Sequence, residues 1–159
     1  MSENAYIQSK YLVCVDHTDV SRAALRFACS KARKRNIRID VLHVMPPVDG
    51  QVLGSVAEKM RQEQRAEAEK LLQSLAHEAV GEFGITPSLL IREGKPAEQI
   101  LAQTQEDYFT NMLVLGVSPQ SSSGRRVISA LTSYYADKMH IPIMLVPGNM
   151  SDEEMEALG

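Results

Sequence analysis

The chain has 159 residues, 44% of them hydrophobic, with a formal net charge of −3. That size suits one compact domain with a substantial core, and interspersed acids and bases leave no basic face of the kind nucleic acid needs. Two cysteines, no apolar run near the roughly 18 residues of a membrane span, and an opening MSENAYIQSKYL unlike a signal peptide exclude a disulfide scaffold and membrane insertion, and predict a cytoplasmic protein.

Apolar strand-like runs alternate with helix-like periodic segments along the chain, the order of a parallel sheet covered by helices. Residues 11–15 form the first strand, near-continuously apolar as a sheet covered on both faces demands. Asp16 follows at once. Thr18 or Asp19 is placed to cap a helix presenting Val20, Ala23, Ala24, Phe27 and Ala28 at spacings of three and four. Its end carries Lys31, Arg33, Lys34 and Arg35, where cations suit the helix dipole. The second strand covers residues 37–45 and stops at Pro46-Pro47.

A loop over residues 48–55 leads to a long polar helix over 56–80. Its stripe of Ala68, Leu71, Leu72, Leu75 and Ala79 packs its second half on the sheet and leaves the first half solvated. Gly81 and Gly84 end it. Residues 88–91 make a short third strand, and Glu93-Gly94-Lys95-Pro96 turns into a helix that points Ile100 and Leu101 inward, with Pro96 at a favourable first position. The fourth strand is 112–115, with Gly116 at its carboxyl end. A Gly/Ser-rich loop, a helix over 127–138 and a fifth strand over 141–146 complete the domain, residues 1–150. Ser151 and Glu154 have capping-box spacing, so the tail, 151–159, is either a short helix or frayed.

Ligands of open parallel sheets sit outside the carboxyl ends of strands where strand order reverses. Asp16 and the loop from Gly116 occupy two such ends. A loop rich in glycine and serine that feeds a helix gathers N–H groups and hydroxyls around an anion such as a phosphate, although the same composition also makes a plain surface loop. Asp16 suits ribose hydroxyls or, equally, a turn through its own backbone. His43, on a central strand, reads as a satisfied core histidine, and His17 as a turn residue or a phosphate contact. Met45, Met60, Met112, Met139 and Met144 read as core filling. A phospho-receiver domain would need an Asp after the third strand and a Lys after the fifth, both missing. No G-x-S-x-G elbow marks a hydrolase.

The order and spacing of YLVCVDHTDVSRAALRFA, VLHVMPP, IREGKPAEQIL, MLVLG and IPIMLVP resemble the universal stress protein family from Lys10 to Pro147. The resemblance implies a doubly wound α/β fold, an open five-stranded parallel sheet of the adenine-nucleotide alpha-hydrolase type. It also implies a homodimer paired through the last strand and, in some members, ATP or AMP, with Mg as a possible companion, acting as a regulatory ligand rather than in catalysis. By that likeness Asp16 faces the ribose, the Val44 backbone lies beside the adenine, and the loop from Gly116 meets the phosphates, with His17, Leu115, Gly124, Arg125, Ser129, Ala130 and Leu131 around it. Nucleotide-binding members carry G-x2-G-x9-G-[S/T] there. In this chain Pro119, Ser129 and Ala130 stand at the later motif positions, and Pro119 removes an N–H. Gly124, Ser121, Ser122, Ser123 and Ser129, with Arg125 or Arg126, are the available replacements. The competing reading is the same fold without nucleotide, acting as a dimeric interaction or scaffold protein. The edge strand of Ile141, Ile143, Leu145 and Val146 supports pairing unless the tail covers it.

Overall fold

The computed structural model describes residues 9–158. Residues 1–8, most of the stretch read above for a signal sequence, and Gly159 lie outside the described residues. Five parallel strands, β1 (Lys10–Cys14), β2 (Arg38–Met45), β3 (Ser88–Glu93), β4 (Thr110–Val117) and β5 (Ile143–Pro147), form one open sheet in the order β3-β2-β1-β4-β5. The helices are α1 (Asp19–Arg35), α2 (Ser55–Phe83), α3 (Pro96–Glu106), α4 (Ser122–Ser129) and α5 (Asp152–Leu158). The order reverses between β1 and β4, the switch point at which helices depart to opposite faces.

Period-two alternation sorts the strand side chains into two cores. Val13, Val41, Val114 and Val146 pack with Ala24, Ala28, Leu72 and Leu75 of α1 and α2. Leu12, Leu42, Leu113 and Leu115 pack on the other face with Ile100 of α3 and Leu131. The predicted stripe of α2 is confirmed: Ala68, Leu72, Leu75 and Ala79 are buried and Leu71 partly so. Gly84, at φ +66°, ends the helix and donates its N–H to the carbonyls of Ala79 and Val80, while Gly81 lies inside it.

Several boundaries differ from expectation. β1 starts and stops one residue early, and Val15 leaves the strand while its N–H still donates to the Leu42 carbonyl at 2.9 Å. β5 begins at Ile143 because Pro142 has no N–H to give a ladder, although its carbonyl accepts from Leu113 at 3.0 Å. The largest difference lies after β4. α4 starts at Ser122, five residues before the predicted 127, and absorbs most of the Gly/Ser-rich segment.

That segment reads as loop by composition, yet Ser121 caps it, its Oγ accepting the Gly124 N–H at 3.2 Å. The α-helix stops at Ser129 and widens into a π-turn over Ala130–Tyr134, where the Tyr135 N–H reaches the Ala130 carbonyl. Thr132 Oγ1 donates to the Ile128 carbonyl at 2.7 Å and Ser133 Oγ to that of Ser129, hydroxyl competition that distorts a helix.

The tail is helical, and Ser151 caps it as half of a capping box: the Glu154 N–H donates to Ser151 Oγ, and the same hydroxyl donates to Glu154 Oε1, both at 3.1 Å. It docks on α1 by burying Met155, 6% exposed, and by an Arg26–Asp152 ion pair of 2.8 Å. Leu145 of β5 remains 42% exposed.

Candidate functional site

The turn from β1 into α1 is built around Asp16. Its Oδ1 accepts the Thr18 N–H at 2.9 Å, the Ser21 hydroxyl at 2.9 Å and the Thr18 hydroxyl, and its own N–H donates to Ser21 Oγ at 2.7 Å. Neither Thr18 nor Asp19 caps α1 through its side chain. Thr18 donates its hydroxyl backwards to Asp16 instead, so the turn role of Asp16 is real. That role uses one carboxylate oxygen and leaves Oδ2 outside these bonds.

Beside this turn, at the carboxyl ends of β1, β2 and β4, lies a cavity of about 300 Å³. Its wall is largely apolar: Leu42, Val44, Ile100, Leu115 and Val127 among others, with Asp16, Ser21, His43 and Ser123 as polar members. The ladder between β1 and β2 ends at Cys14 opposite Leu42. Leu42 directs its carbonyl toward β1, where Val15 takes it. Two residues on, Val44 turns its N–H and carbonyl the same way, beyond the point where β1 has left the sheet. A main-chain donor and acceptor therefore face the crevice side by side.

Gly116 lines the cavity for a reason of packing. A Cβ there would meet the Val20 carbonyl oxygen at 2.6 Å and Val20 Cγ2 at 2.8 Å. β4 approaches the first turn of α1 too closely for any side chain. Gly124 is similar, since a Cβ would meet Ser121 Oγ, its own cap, at 2.8 Å.

Of the residues singled out in the sequence, Asp16, His43, Val44, Leu115, Gly116, Ser123 and Gly124 line this cavity. The others are placed elsewhere. His17 borders a separate cleft of about 840 Å³ between the start of α1 and residues 147–149. Arg125 and Ser129 are exposed on α4, and Ala130 and buried Leu131 lie in the π-turn, outside the cavity lining. The loop-based expectation spread contacts over residues 124–131, whereas a helix shows one face to the cavity: Ser123, Gly124 and Val127, at helical spacing.

Sequence reasoning missed Ser21 and Val127, and the apolar floor from Pro96 and Ile100. The spacing of five between Asp16 and Ser21 was the available signal for the first.

His43 is the satisfied core histidine expected: 8% exposed, with Nδ1 2.8 Å from the Val15 carbonyl, so that nitrogen carries the proton. The His17 ring stands edge-on to it, centroids 5.3 Å apart. Both cysteines are free, and burial pushes the Cys14 thiol up and that of Cys29 up to about 12, so neither is a thiolate near neutrality. Among the described residues no group of three or more His, Cys, Asp or Glu side chains is placed to hold a metal ion, and no helix is long and apolar enough to cross a membrane.

The Universal stress protein family model matches residues 9–147. No curated protein shows a significant match. Among solved structures, the universal stress protein UspA from Lactobacillus plantarum superposes with a TM-score of 0.71 at 20% identity, covering 87% of this chain and 97% of that one. The universal stress protein from Archaeoglobus fulgidus in complex with dAMP gives 0.62 at 24%, covering 87% and 97%. A universal stress protein in complex with cAMP gives 0.64 at 16%, covering 89% and 98%. Those likenesses are of fold, and the match over residues 9–147 makes this chain a member of the universal stress protein family.

Proposed function

We propose that this protein binds an adenine nucleotide, ATP or AMP, as a regulatory ligand in a stress response, and works in the cytoplasm through dimerisation and partner contacts rather than catalysis. The observation that carries the reading is the cavity of about 300 Å³ at the switch point, edged by the Val44 main chain and the Asp16 carboxylate.

The residues present fit the adenosine half of such a ligand. Apolar walls suit a purine face, the Val44 N–H and carbonyl suit its hydrogen-bonding edge, and Asp16 Oδ2 suits a ribose hydroxyl while Oδ1 holds the turn. The relatives solved with dAMP and cAMP support the ligand class. Magnesium, where it accompanies a nucleotide, is held chiefly by phosphate oxygens. Asp16 is the one carboxylate lining the cavity and is committed to the turn, so it is poorly placed to activate a water.

The test is mass spectrometry of small molecules released on denaturing the purified protein, followed by calorimetric titration with ATP and AMP plus magnesium. Saturable binding, lost in Val127→Trp and kept in Tyr108→Ser at a 93% exposed distant site, is the expected result. No copurified ligand and no heat at millimolar nucleotide would refute it.

That outcome would favour a nucleotide-free dimeric interaction module, which Pro119 in the phosphate loop supports. Dimerisation itself rests on β5. It is an edge strand, the tail helix docks on α1, and Leu145 is exposed. Sedimentation equilibrium should show a dimer that Leu145→Lys weakens, and a monomeric parent protein would remove the proposal.

A further inference from the structure

The loop between β4 and α4 spends its hydrogen-bond donors on itself. Pro119 has no N–H and biases Ser118 toward extended backbone. The Gln120 N–H donates to Ser118 Oγ at 3.2 Å and the Ser121 N–H to the Ser118 carbonyl at 3.1 Å. One turn on, the Gly124 N–H donates to Ser121 Oγ at 3.2 Å and the Arg125 N–H to the Ser121 carbonyl at 3.1 Å. The Ser118 hydroxyl is further tied to Gln120 Oε1 at 2.6 Å, and Ser121 is buried. Among the described residues from 119 to 125, the N–H groups left outside these bonds are those of Ser122 and Ser123, and Ser123 borders the cavity.

A polyphosphate chain needs donors in succession along its length, as a phosphate-binding loop supplies. Two adjacent N–H groups are enough for one phosphoryl group and too few for a chain of three. Past the loop, the larger cleft is bordered by His17, Asp19 and Pro119 and has no Lys or Arg in its lining, so further phosphates would meet a carboxylate and an imidazole there and no ammonium or guanidinium group. Arg125 and Arg126 are exposed, and their pull is screened at physiological ionic strength. The cavity is also at the small end of the roughly 300–1,000 Å³ usual for ligand sites.

We propose, resting on the nucleotide reading above, that the site selects the nucleoside and its first phosphate. It takes adenosine monophosphate and gains nothing from the second and third phosphates of ATP.

The test is calorimetric titration of the full chain with adenosine, AMP, ADP and ATP, with and without magnesium, at physiological ionic strength. The expected result is AMP at least as tight as adenosine, with ATP equal to AMP or weaker. The paired variant Ser118→Ala, Pro119→Gly frees the Gln120 N–H and restores one at 119. It should tighten ATP by about tenfold, the gain of one charge-assisted hydrogen bond, and change AMP by less than about threefold.

ATP bound tenfold or more tightly than AMP by the parent protein would overturn the selectivity and leave the nucleotide reading standing. An unchanged ATP-to-AMP ratio in the variant, folded by circular dichroism, would overturn the loop as its cause. No binding of any of the four ligands would overturn both readings together.

Discussion

Gly116→Ala separates the packing explanation of that glycine from a ligand-approach one. Gly116 is not among the residues with positive φ, so alanine meets no backbone strain there and the whole cost is contact. The new methyl would sit 2.6 Å from the Val20 carbonyl oxygen and 2.8 Å from Val20 Cγ2, both well inside contact distance. The side-chain methyl can turn away, but the carbonyl can move only with the first turn of α1, whose start is tied to Asp16 through Thr18 and Ser21. Overpacking of this kind costs about 1–3 kcal/mol, and a backbone partner places this site at about 3 kcal/mol. Val20→Ala in the same chain should recover only the side-chain share. The assay is urea unfolding followed by circular dichroism, comparing midpoints at equal slope. A loss under about 0.5 kcal/mol would refute the argument and return Gly116 to the role of letting a ligand approach the backbone.

At the amino-terminal ends of the strands, opposite the cavity, Lys10 of β1 bridges Asp107 at 3.0 Å and Asp40, which is 2% exposed, at 3.4 Å. Lys10 reaches Asp40 through Oδ2 and Oδ1 has no hydrogen-bond partner, so Lys10→Met should cost about 3 kcal/mol by stranding a buried carboxylate, and Asp40→Leu in the same chain should recover much of it. Burial alone would push the Asp107 carboxyl up, but the hydrogen bonds from Lys10 and the Phe109 N–H hold it below its ordinary value. That contribution is therefore present above about pH 4 and lost as acid titrates the folded-state group. For Lys10, burial opposes the charge but Asp107 and Asp40 outweigh it and raise its pKa. Its share is full below about pH 10.5 and is lost as the pH rises through the folded value, a window that thermal melts across pH will show. Met155→Glu should undock the tail and cost about 2 kcal/mol in urea unfolding, whereas Arg26→Ala, which loses ion pairs to the exposed carboxylates of Glu82 and Asp152, should cost about 1 kcal/mol.

The elements that sequence makes legible are those whose periodicity is also their burial. Leu72 and Leu75 recur at helical spacing because they face a sheet, and residues 11–15 are uniformly apolar because both faces are covered. The start of α4 was not legible for the opposite reason. Ser122, Ser123 and Gly124 are poor helix formers, and the helix exists there because Ser121 Oγ meets the Gly124 N–H and because β4 delivers the chain to that point. The site follows the same division. Asp16 and Gly116 mark strand ends by position alone, but which side of α4 reaches the cavity depends on where the helix begins. The expected contacts at Arg125, Ser129, Ala130 and Leu131 came from their places in the loop after Gly116; with α4 starting at Ser122, the cavity lining holds Ser123, Gly124 and Val127, and those four lie outside it.

Gly116 also shows why the glycine pattern of this loop is weak evidence about a ligand. Two demands converge on that position, close approach to α1 and close approach to any ligand at the switch point, and the first is sufficient to fix the residue. The positions where ligand alone would decide are those without a packing demand, and there the chain carries Pro119, which offers no donor. Asp16, which lines the cavity, commits one carboxylate oxygen to the turn and leaves the other outside those bonds. Ser21→Ala tests that division directly. It removes the hydroxyl that donates to Oδ1 and accepts from the Asp16 N–H, so it should loosen the turn by about 1–2 kcal/mol in urea unfolding. Nucleotide affinity should fall with it, because Oδ2 is aimed only while Oδ1 is held. Loss of stability without loss of affinity would mean that Asp16 serves the fold and not the ligand.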